Sequence, residues 1–419
     1  MKPFLTAALS LLLLTGTSCA DDNKDNTPKG YPTQVPTAEK IPVVAWHGVR
    51  AGFASVERFK EAANMGITIN YSRMINVTKA CEMLDMAAQA NVKLIIECEE
   101  LYDDARRQAA VKTFQKHSAL EGYFVADEPH PNDFKDIAKR MKDIQAVDKE
   151  HICYANIFPT GPQSHYDALG VRNYAEYVQR YLNECPVTFL SFDQYPIVAE
   201  PNSPRWLKPE WYQALEIASK EAVRNKMKLW TFLLTVPHTA YPQPTVSDLR
   251  LQAYSNLAYG SQVLQCFTYW TPSVENPTFW NYRNAPIAED GTRTETYDIV
   301  KGVLREIQTL SWIFRDCKVT SVHHLGGVIP MGTKALTEMP EGVESILIGS
   351  SETALASVFT NHGYTFMLFQ NTSPTLKCRS TIKMKEGARV IHHDGSITLA
   401  SAEVATQQLE PGDIRLYMW

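Results

Sequence analysis

The chain has 419 residues, of which 44% are hydrophobic and 21% are charged, and its formal net charge at pH 7 is -5. This is an ordinary globular composition, and the length predicts two domains or one large domain with an accessory module. The mild negative charge and the lack of a long Lys/Arg run exclude a typical nucleic-acid partner.

The first 19 residues have the pattern of a secretory signal peptide. Lys2 precedes a short apolar run from Phe4 to Leu14, and small residues lead from there to Cys19. Such a run is too short for a membrane-spanning helix. The small residues before Cys19 resemble the lipobox of bacterial lipoproteins, with Gly16 in place of the usual leucine. The resemblance implies that Cys19 is lipidated and becomes the mature N-terminus; secretion with an unmodified Cys19 is the alternative.

An acidic, proline-containing segment follows. Its first part, with Asp21, Asp22 and Asp25, is similar to the stretch after the lipidated cysteine of surface-exported lipoproteins. Residues 20–40 show no apolar period, so we expect a flexible tether. We therefore expect a bacterial outer-membrane lipoprotein at the cell surface, held to the membrane only by its lipid. Display on the periplasmic face is the alternative.

Eight apolar, strand-like segments then alternate with amphipathic helical segments. The predicted strands are Ile41–Trp46, Ile67–Tyr71, Val92–Glu97, Gly122–Asp127, Ile152–Phe158, Val187–Tyr195, Lys228–Val236 and Gln262–Trp270. Helices are predicted between them from caps and from helical spacing, at Ser55–Gly66, Asn132–Lys149, Thr245–Tyr259 and Thr292–Phe314. The spacing of the strands is that of βαβ units, so residues 41–315 are predicted to form a (β/α)8 (TIM) barrel. An open doubly wound sheet would show a glycine-rich phosphate loop after its first strand, and residues 46–50 do not form one.

Residues 316–419 have a different pattern. Short β-rich runs such as Ala354–Phe359 and Thr365–Gln370 are separated by turn signals such as Asp394-Gly395. These features predict an accessory all-β sandwich domain, with the alternating segment Gly412–Trp419 as its final strand.

Metal-binding motifs are missing from the sequence. It contains no CxxC or HExxH spacing. The adjacent pairs His323-His324 and His392-His393 lie in β-type segments, where neighbouring side chains point to opposite faces. We therefore expect neither a metal nor another cofactor.

Polar and aromatic residues collect at the carboxyl ends of the predicted barrel strands, where the active sites of such barrels lie. They are Trp46, Tyr71, Arg73, Glu97, Asp127, Glu128, Asn156, Asp193, Tyr195, His238, Tyr269 and Trp270. Barrel interiors are usually filled by branched apolar side chains, so packing does not require this set. Acids and amides bind sugar hydroxyls, aromatic rings stack on pyranose faces, and glycosidic cleavage uses two carboxyl groups. The set predicts a carbohydrate site.

The barrel, the acid that ends the fourth strand, the aromatic pair Tyr269-Trp270 and the appended β-module resemble the clan of (β/α)8 glycoside hydrolases that includes β-galactosidases and cellulases. In that clan the fourth strand ends in Asn-Glu, with the Glu as acid/base, and the seventh strand ends in the nucleophilic Glu. Glu128 matches the first position, with Asp127 in place of the Asn. The seventh strand here runs on to His238 and contains no Glu.

A second carboxylate must therefore come from elsewhere if the resemblance extends to the mechanism. Asp193, after the sixth strand, is the first candidate, as nucleophile or general base. Glu97, Glu99 and Glu100 come next, although such a group is also typical of a solvated edge or a helix start. Asp127 is predicted to orient the substrate, and the rest of the set to bind it.

Two other functions remain open at this stage. The pair Asp127-Glu128 also looks like the pair of substrate-assisted β-N-acetylhexosaminidases, in which the Glu is the acid and the Asp orients the acetamido group of the substrate. That mechanism needs no protein nucleophile. The second alternative is a non-catalytic glycan-binding surface lipoprotein, which the missing Glu of the seventh strand favours. All three functions predict a carbohydrate partner.

Overall fold

The computed structural model of the protein describes residues 39–74, 76–200, 203–273, 276–400 and 406–419. The signal peptide, Cys19 and the tether up to residue 38 lie outside these residues, so the interpretations given for them stay predictions. Within the described ranges, no helix combines the length and the apolar character needed to cross a bilayer.

Eight parallel strands with intervening helices confirm the predicted fold class. The strands are β1 Val43–Trp46, β2 Ile69–Arg73, β3 Lys93–Glu97, β4 Leu120–Asp127, β5 Ile152–Asn156, β6 Phe189–Phe192, β7 Lys228–Leu234 and β8 Ser261–Phe267. Their order in the sheet is β5-β4-β3-β2-β1-β8-β7-β6. A single parallel bridge between Ile157 and Phe192 closes the barrel, and the Ile157 amide donates to the Ser191 carbonyl at 3.0 Å.

Helices cover the outside of the barrel. They are α1 Val56–Met65, α2 Val77–Gln89, α3 Glu99–Tyr102, α4 Arg107–Phe114, α5 Phe134–Gln145, α6 Gln163–Leu169, α7 Tyr174–Glu184, α8 Trp211–Arg224, α9 Val246–Ala258, α10 Pro277–Trp280, α11 Glu295–Thr309 and α12 Ser311–Phe314. The local sequence explains where several of these helices begin or end. The Ser55 hydroxyl accepts from the Arg58 amide at the start of α1, and Gly66 ends that helix with φ of 118°. Thr245 and Asp248 form a capping box at α9.

Aromatic side chains fill the upper barrel interior, contrary to our expectation of branched aliphatic residues there. Trp46 packs against Tyr71 at a ring-centroid distance of 4.5 Å and against Tyr154 at 5.6 Å. Tyr71 in turn stacks on Phe124 at 4.6 Å. All four rings are buried. Part of the aromatic crowding at the strand ends is therefore core packing.

Antiparallel strands form the C-terminal part, as predicted. They are β9 Lys318–Gly326, β10 Val343–Ile348, β11 Thr353–Asn361, β12 Tyr364–Asn371, β13 Cys378–Met384, β14 Arg389–Ile391, β15 Ile397–Leu399, β16 Thr406–Leu409 and β17 Ile414–Met418. One sheet has the order β9-β11-β12-β17-β14-β15 and the other has the order β10-β13-β16. Ile346 and Met384 of the smaller sheet share a hydrophobic core with Ala356 and Met367 of the larger one. The two sheets therefore pack face to face.

The larger sheet also packs on the barrel through its other face. Residues 354–359 of β11 and 366–371 of β12 are buried without interruption, where a strand with one solvent face would alternate. Phe359 contacts Phe314 of α12 at a centroid distance of 5.5 Å, and the Ser357 hydroxyl donates to the Ala258 carbonyl of α9 at 2.7 Å. The described residues from Glu39 onward accordingly belong to one compact unit.

A charged cluster joins the barrel helices to the C-terminal sheet. The imidazole nitrogens of His393 lie 2.9 Å from Glu306 of α11 and 2.9 Å from Asp413, which precedes β17. Arg250 contacts Glu306 at 2.6 Å. Burial lowers the pKa of His393, but its contacts with the two carboxylates outweigh this and raise the pKa to about 9. His393 is therefore positively charged at neutral pH.

We expect the His393→Gln variant to be less stable than the wild type by about 1 kcal/mol near pH 6, because the side chain is partly exposed and solvent screens the pairs. A raised pKa in the folded state gives stabilisation that is complete below the unfolded-state pKa of about 6.5 and is lost as pH rises through about 9. The difference should vanish above about pH 9. Denaturant unfolding near pH 6 and above about pH 9 measures the difference in the free energy of unfolding between variant and wild type. The variant His392→Gln, at the exposed neighbouring residue, is the control. A difference that persists at high pH would contradict the charge-based explanation.

Candidate active site

A cleft with a volume of about 300 Å³ opens at the carboxyl ends of the barrel strands. Seven of the residues predicted from the sequence line it: Trp46, Asp127, Glu128, Asn156, Asp193, Tyr195 and His238. Pro159, Thr160, Gln194, Lys208, Phe232, Tyr241, Phe267, Trp280 and Tyr282 complete the lining. The predicted acids, amide and part of the aromatic set are thus in one place.

Three carboxyl groups enter this cleft from two strands. Asp127 is the last residue of β4, and Glu128 follows it with a left-handed backbone (φ of 43°). This conformation is uncommon for a residue other than glycine, and the Glu128 amide is held in it by donating to the Asn156 carbonyl at 2.8 Å. Asp193 follows β6, which is separated from β4 by β5 and the closing bridge of the barrel.

The side-chain amide of Asn156 connects the two aspartates. Its Nδ2 atom lies 2.7 Å from Oδ1 of Asp193 and 3.4 Å from Oδ1 of Asp127. Two oxygens this close to one nitrogen cannot be farther apart than the sum of the two distances. Asp127 and Asp193 therefore share a hydrogen-bond donor and interact electrostatically.

A buried polar network fixes the orientation of that amide. Ser191 donates to Oδ1 of Asn156 at 2.9 Å, which leaves Nδ2 to face the acids. The Ser191 hydroxyl accepts from Nε2 of Gln265 at 2.9 Å, and the Tyr154 hydroxyl donates to Oε1 of Gln265 at 2.7 Å. These residues are buried inside the barrel. If the Asn156 amide were rotated by 180°, its oxygen would face the two carboxylates. Its NH₂ group would then face the Ser191 hydroxyl, which in the observed orientation donates to the amide oxygen.

All three acids have raised pKa values, and burial is the largest cause for each. The charge of Glu97 also raises the pKa of Asp127, to about 6, while the Asn156 hydrogen bond opposes the rise. The charges of Asp193 and Asp127 raise the pKa of Glu128 further. The charge of Asp127 raises that of Asp193, again against the Asn156 hydrogen bond. Solvent reaches these groups through the mouth of the cleft, most of all Asp127, but protein atoms replace much of the surrounding water.

Arg73, Tyr71 and Glu97 form a separate group beside the cleft. Glu97 accepts hydrogen bonds from the hydroxyls of Tyr71 at 2.7 Å and Tyr102 at 3.0 Å, and Arg73 lies 3.9 Å from it with a largely exposed side chain. None of these residues lines the cleft. Glu97 acts on the site through its charge on Asp127. The other acids of this region, Glu99 and Glu100, begin the short helix α3.

Tyr269 and Trp270 lie below the surface. Strand β8 ends at Phe267, and the chain then turns. Trp270 forms an isolated parallel β-bridge with Ile287. The Trp270 ring is fully buried, 5.0 Å from the ring of Phe53, and its Nε1 donates to the Glu289 carbonyl. It offers no free face for a sugar, and Tyr269 is likewise fully buried. Their predicted stacking role has no support in this geometry.

Aromatic residues from the long loop after β8 occupy the place predicted for Trp270. The rings of Trp280 and Tyr282 stack almost in parallel, at a centroid distance of 5.9 Å, and both line the cleft. The Tyr282 ring lies 4.6 Å from His238. The aromatic-rich segment Phe279-Trp-Asn-Tyr282 was the signal in the sequence that could have indicated them. Lys208, Tyr241 and Gln194 were also not predicted.

His238 occupies the position after β7 where the resemblance led us to look for a Glu. It is buried, and its Nδ1 lies 3.1 Å from the Val236 carbonyl. Burial lowers its pKa to about 4, so it is neutral at neutral pH. It does not supply a second acidic group. Within the described residues, His, Cys, Asp and Glu side chains form no group of three able to hold a metal ion.

No protein-family model and no curated protein sequence matches this chain. Solved structures resemble its fold. A family 39 glycoside hydrolase from Bacteroides cellulosilyticus has 10% sequence identity and a TM-score of 0.51, over 90% of this chain and 80% of that one. A glycoside hydrolase family 5 protein from Bacteroides vulgatus has 8% identity and a TM-score of 0.51, over 90% and 88%.

A β-galactosidase from a psychrophilic Marinomonas has 11% identity and a TM-score of 0.45. The match covers 64% of this chain and spans only 60% of the length of that protein. This third likeness is too weak to support an argument. The first two, at their low identities, show a shared fold alone.

Proposed function

We propose that the protein is a glycoside hydrolase that acts on an oligo- or polysaccharide, with Glu128 as the general acid/base. The observation that carries this proposal is the convergence of Glu128, Asp127 and Asp193 in one cleft at the carboxyl ends of barrel strands. Aromatic rings line the same cleft, as recognition of sugars requires. The likeness in fold to two glycoside hydrolases supports the same function.

The electrostatics assign different roles to the acids. Burial and the charges of its two neighbours raise the pKa of Glu128 and thus favour its protonated form at neutral pH, which suits a donor to the leaving oxygen. Burial and the charge of Asp127 raise the pKa of Asp193 as well, but the Asn156 amide donates to Asp193 and opposes this rise. Asp193 accordingly loses its proton more readily than Glu128. Asp193 therefore suits the role of nucleophile or general base.

Asp193 is also better placed than Asp127 to be the second carboxylate. Asp127 and Glu128 are adjacent at the end of β4, so both enter the cleft from the same point of its rim. Asp193 follows β6 and can act from another side of the scissile bond. Asp127 then orients the substrate through its exposed carboxylate.

The substrate-assisted mechanism remains a second candidate because Asp127 both adjoins Glu128 and reaches the cleft. In that mechanism the substrate's own acetamido group attacks, and Asp127 orients it. Aryl 2-acetamido-2-deoxyglycosides should then be cleaved much faster than the matching 2-hydroxy glycosides. Equal or better cleavage of the 2-hydroxy compounds would exclude this candidate.

A hydrolysis screen tests the proposal as a whole. Wild-type protein and the Glu128→Gln variant are incubated in parallel with aryl glycosides and polysaccharides, and released phenol or reducing sugar is measured. We expect the wild type to cleave at least one substrate that the variant cleaves far more slowly. A protein that binds glycans in an array but cleaves none would instead be the glycan-binding lipoprotein.

For the location we propose a lipid anchor at Cys19 and display on the cell surface, on the basis of the sequence pattern alone. We expect Cys19→Ala to move the full-length protein from the membrane fraction to the soluble fraction, because the proposed lipidation of Cys19 is what attaches the protein to the membrane. Immunoblotting of fractions measures this, with Cys81→Ala as control. Membrane association that survives the Cys19 substitution would contradict the anchor, and full protection from protease on intact cells would favour the periplasmic face.

A further inference from the structure

Lys208 places a positive charge in the lining of the cleft. It follows a small hairpin of two-residue strands, Ile197–Val198 and Trp206–Leu207, inserted between β6 and α8. The Lys208 ammonium donates to the Tyr241 hydroxyl at 2.5 Å and lies 4.8 Å from the centre of the Tyr241 ring. Both side chains line the cleft.

Among the residues that the structure describes, no carboxylate oxygen lies within 4.0 Å of the Lys208 ammonium. Many other cations of the protein, such as Lys79 beside Glu82 at 3.1 Å, have an acidic partner. Lys208 is instead held by the Tyr241 hydroxyl, which fixes its position and carries no negative group to pair with it. Two of its three donor positions remain for a ligand.

The lining of the cleft therefore contains a positive group, Lys208, and a separate set of acidic groups. Tyr195 lies between Asp193 and the pair of Lys208 and Tyr241, because its hydroxyl interacts with Asp193 and its ring centroid lies 5.8 Å from that of Tyr241. Burial and, after it, the charges of Lys208 and Arg283 lower the pKa of His238, in keeping with a positive potential near Lys208. Asp193 shares the Asn156 amide with Asp127, which adjoins Glu128, so the three acids form a separate, acidic part of the lining.

We propose that Lys208 binds an anionic substituent of the substrate, either the carboxylate of a uronic acid or a sulfate ester, so that the protein acts on an acidic glycan. This inference rests on the proposed hydrolase function. The carboxyl groups of the acidic part would repel such a substituent, which orients the substrate with its anionic group at Lys208 and its scissile bond at Glu128. A neutral glycan would leave the ammonium without a counter-charge.

The test uses pairs of aryl glycosides that differ only at carbon 6, with kcat/KM measured for each member. One arm compares a glycoside with its glycuronide, and the other compares a glycoside with its 6-sulfate, so the two arms distinguish the two anions. We expect the wild type to prefer the acidic member of at least one pair. Lys208→Met should reduce that preference by about 10-fold or more, mainly through KM, because charge-assisted hydrogen bonds are the strong ones.

Lys208→Arg keeps the charge and should retain most of the preference, and Lys79→Met, a partly exposed lysine outside the cleft, is the matched control. Added salt should weaken the preference in the wild type but not in Lys208→Met. A wild type with a higher kcat/KM for the neutral members would overturn the inference. A Lys208→Met variant in which kcat/KM falls equally for the neutral and the acidic member would also overturn it.

Equilibrium binding separates this inference from the proposed function. Methyl glycosides and methyl glycuronides are titrated into the Glu128→Gln variant, with and without Lys208→Met, in a calorimeter. If the wild type cleaves nothing but the acidic ligand binds more tightly and depends on Lys208, the hydrolase proposal fails and the anion site stands. If the wild type cleaves neutral substrates and the acidic ligand binds no more tightly than the neutral one, the anion site is wrong and the hydrolase proposal stands.

Discussion

Replacing Glu128 by glutamine should slow the hydrolysis of a substrate with a poor leaving group, such as a disaccharide, by about 100-fold or more. The amide keeps the shape of the side chain but cannot donate the proton that the leaving oxygen needs. A dinitrophenyl glycoside needs little protonation, so its glycosylation step should lose much less. Steady-state kcat/KM for the two substrates measures this contrast.

The pH profile provides an independent readout of the same group. The proposed mechanism requires protonated Glu128, so activity should fall as pH rises through the raised pKa of this residue. Glu128→Gln should abolish this basic limb. Glu57→Gln, an exposed glutamate in the first turn of α1, is the control. If Glu128→Gln cleaves the natural substrate at the wild-type rate, the acids at the end of β4 are structural.

Replacing Asp193 by asparagine should lower kcat by about 1,000-fold. Unlike the Glu128 variant, this one should lose as much on activated aryl glycosides as on disaccharides, because the second carboxylate attacks or activates water whatever the leaving group. Stopped assays with both substrate types measure it. The exposed Asp136→Asn variant on α5 is the matched control.

The configuration of the wild-type product distinguishes the two roles open to Asp193. A sugar released with retained anomeric configuration, measured by NMR early in the reaction, identifies a nucleophile, and inverted configuration identifies a general base that activates water. Azide that restores turnover of an activated substrate by Asp193→Ala, with a glycosyl azide of inverted configuration as the product, fits either role and shows that Asp193 acts on the face opposite the leaving group. Full activity of both Asp193 variants would remove this residue from the mechanism and leave the substrate-assisted route with Asp127.

The barrel was predictable because its signals are local and repeated. Each strand is a buried apolar run and each helix has its own period, as in α1 between Ser55 and Gly66. The position of Glu128 and Asp193 followed from the same pattern, since the carboxyl ends of parallel strands meet at one edge. The bond between Asn156 and Asp193 joins residues 37 positions apart, and no spacing along the chain indicates it.

The aromatic residues show which features of the site could not be predicted from the sequence. Tyr71 and Trp270 have the same residue types at strand ends as a stacking platform would have, but whether a ring enters the core or the cleft depends on the turn that follows. The chain turns inward after Phe267 and buries Trp270, and the loop that returns exposes Trp280. Lys208 lies on an inserted hairpin, whose path is set by contacts with distant loops, such as that between the backbones of Ala199 and Ala240.

The central strands β11 and β12 are covered on one side by the barrel helices and on the other by the small sheet. A layer with no solvent face cannot persist when either neighbour melts, because a continuous apolar surface would meet water. We therefore expect the cleft of the barrel and the C-terminal sheets to unfold together. In evolutionary terms the module is not a removable attachment: exchanging it for another would require redesign of the barrel surface beneath it.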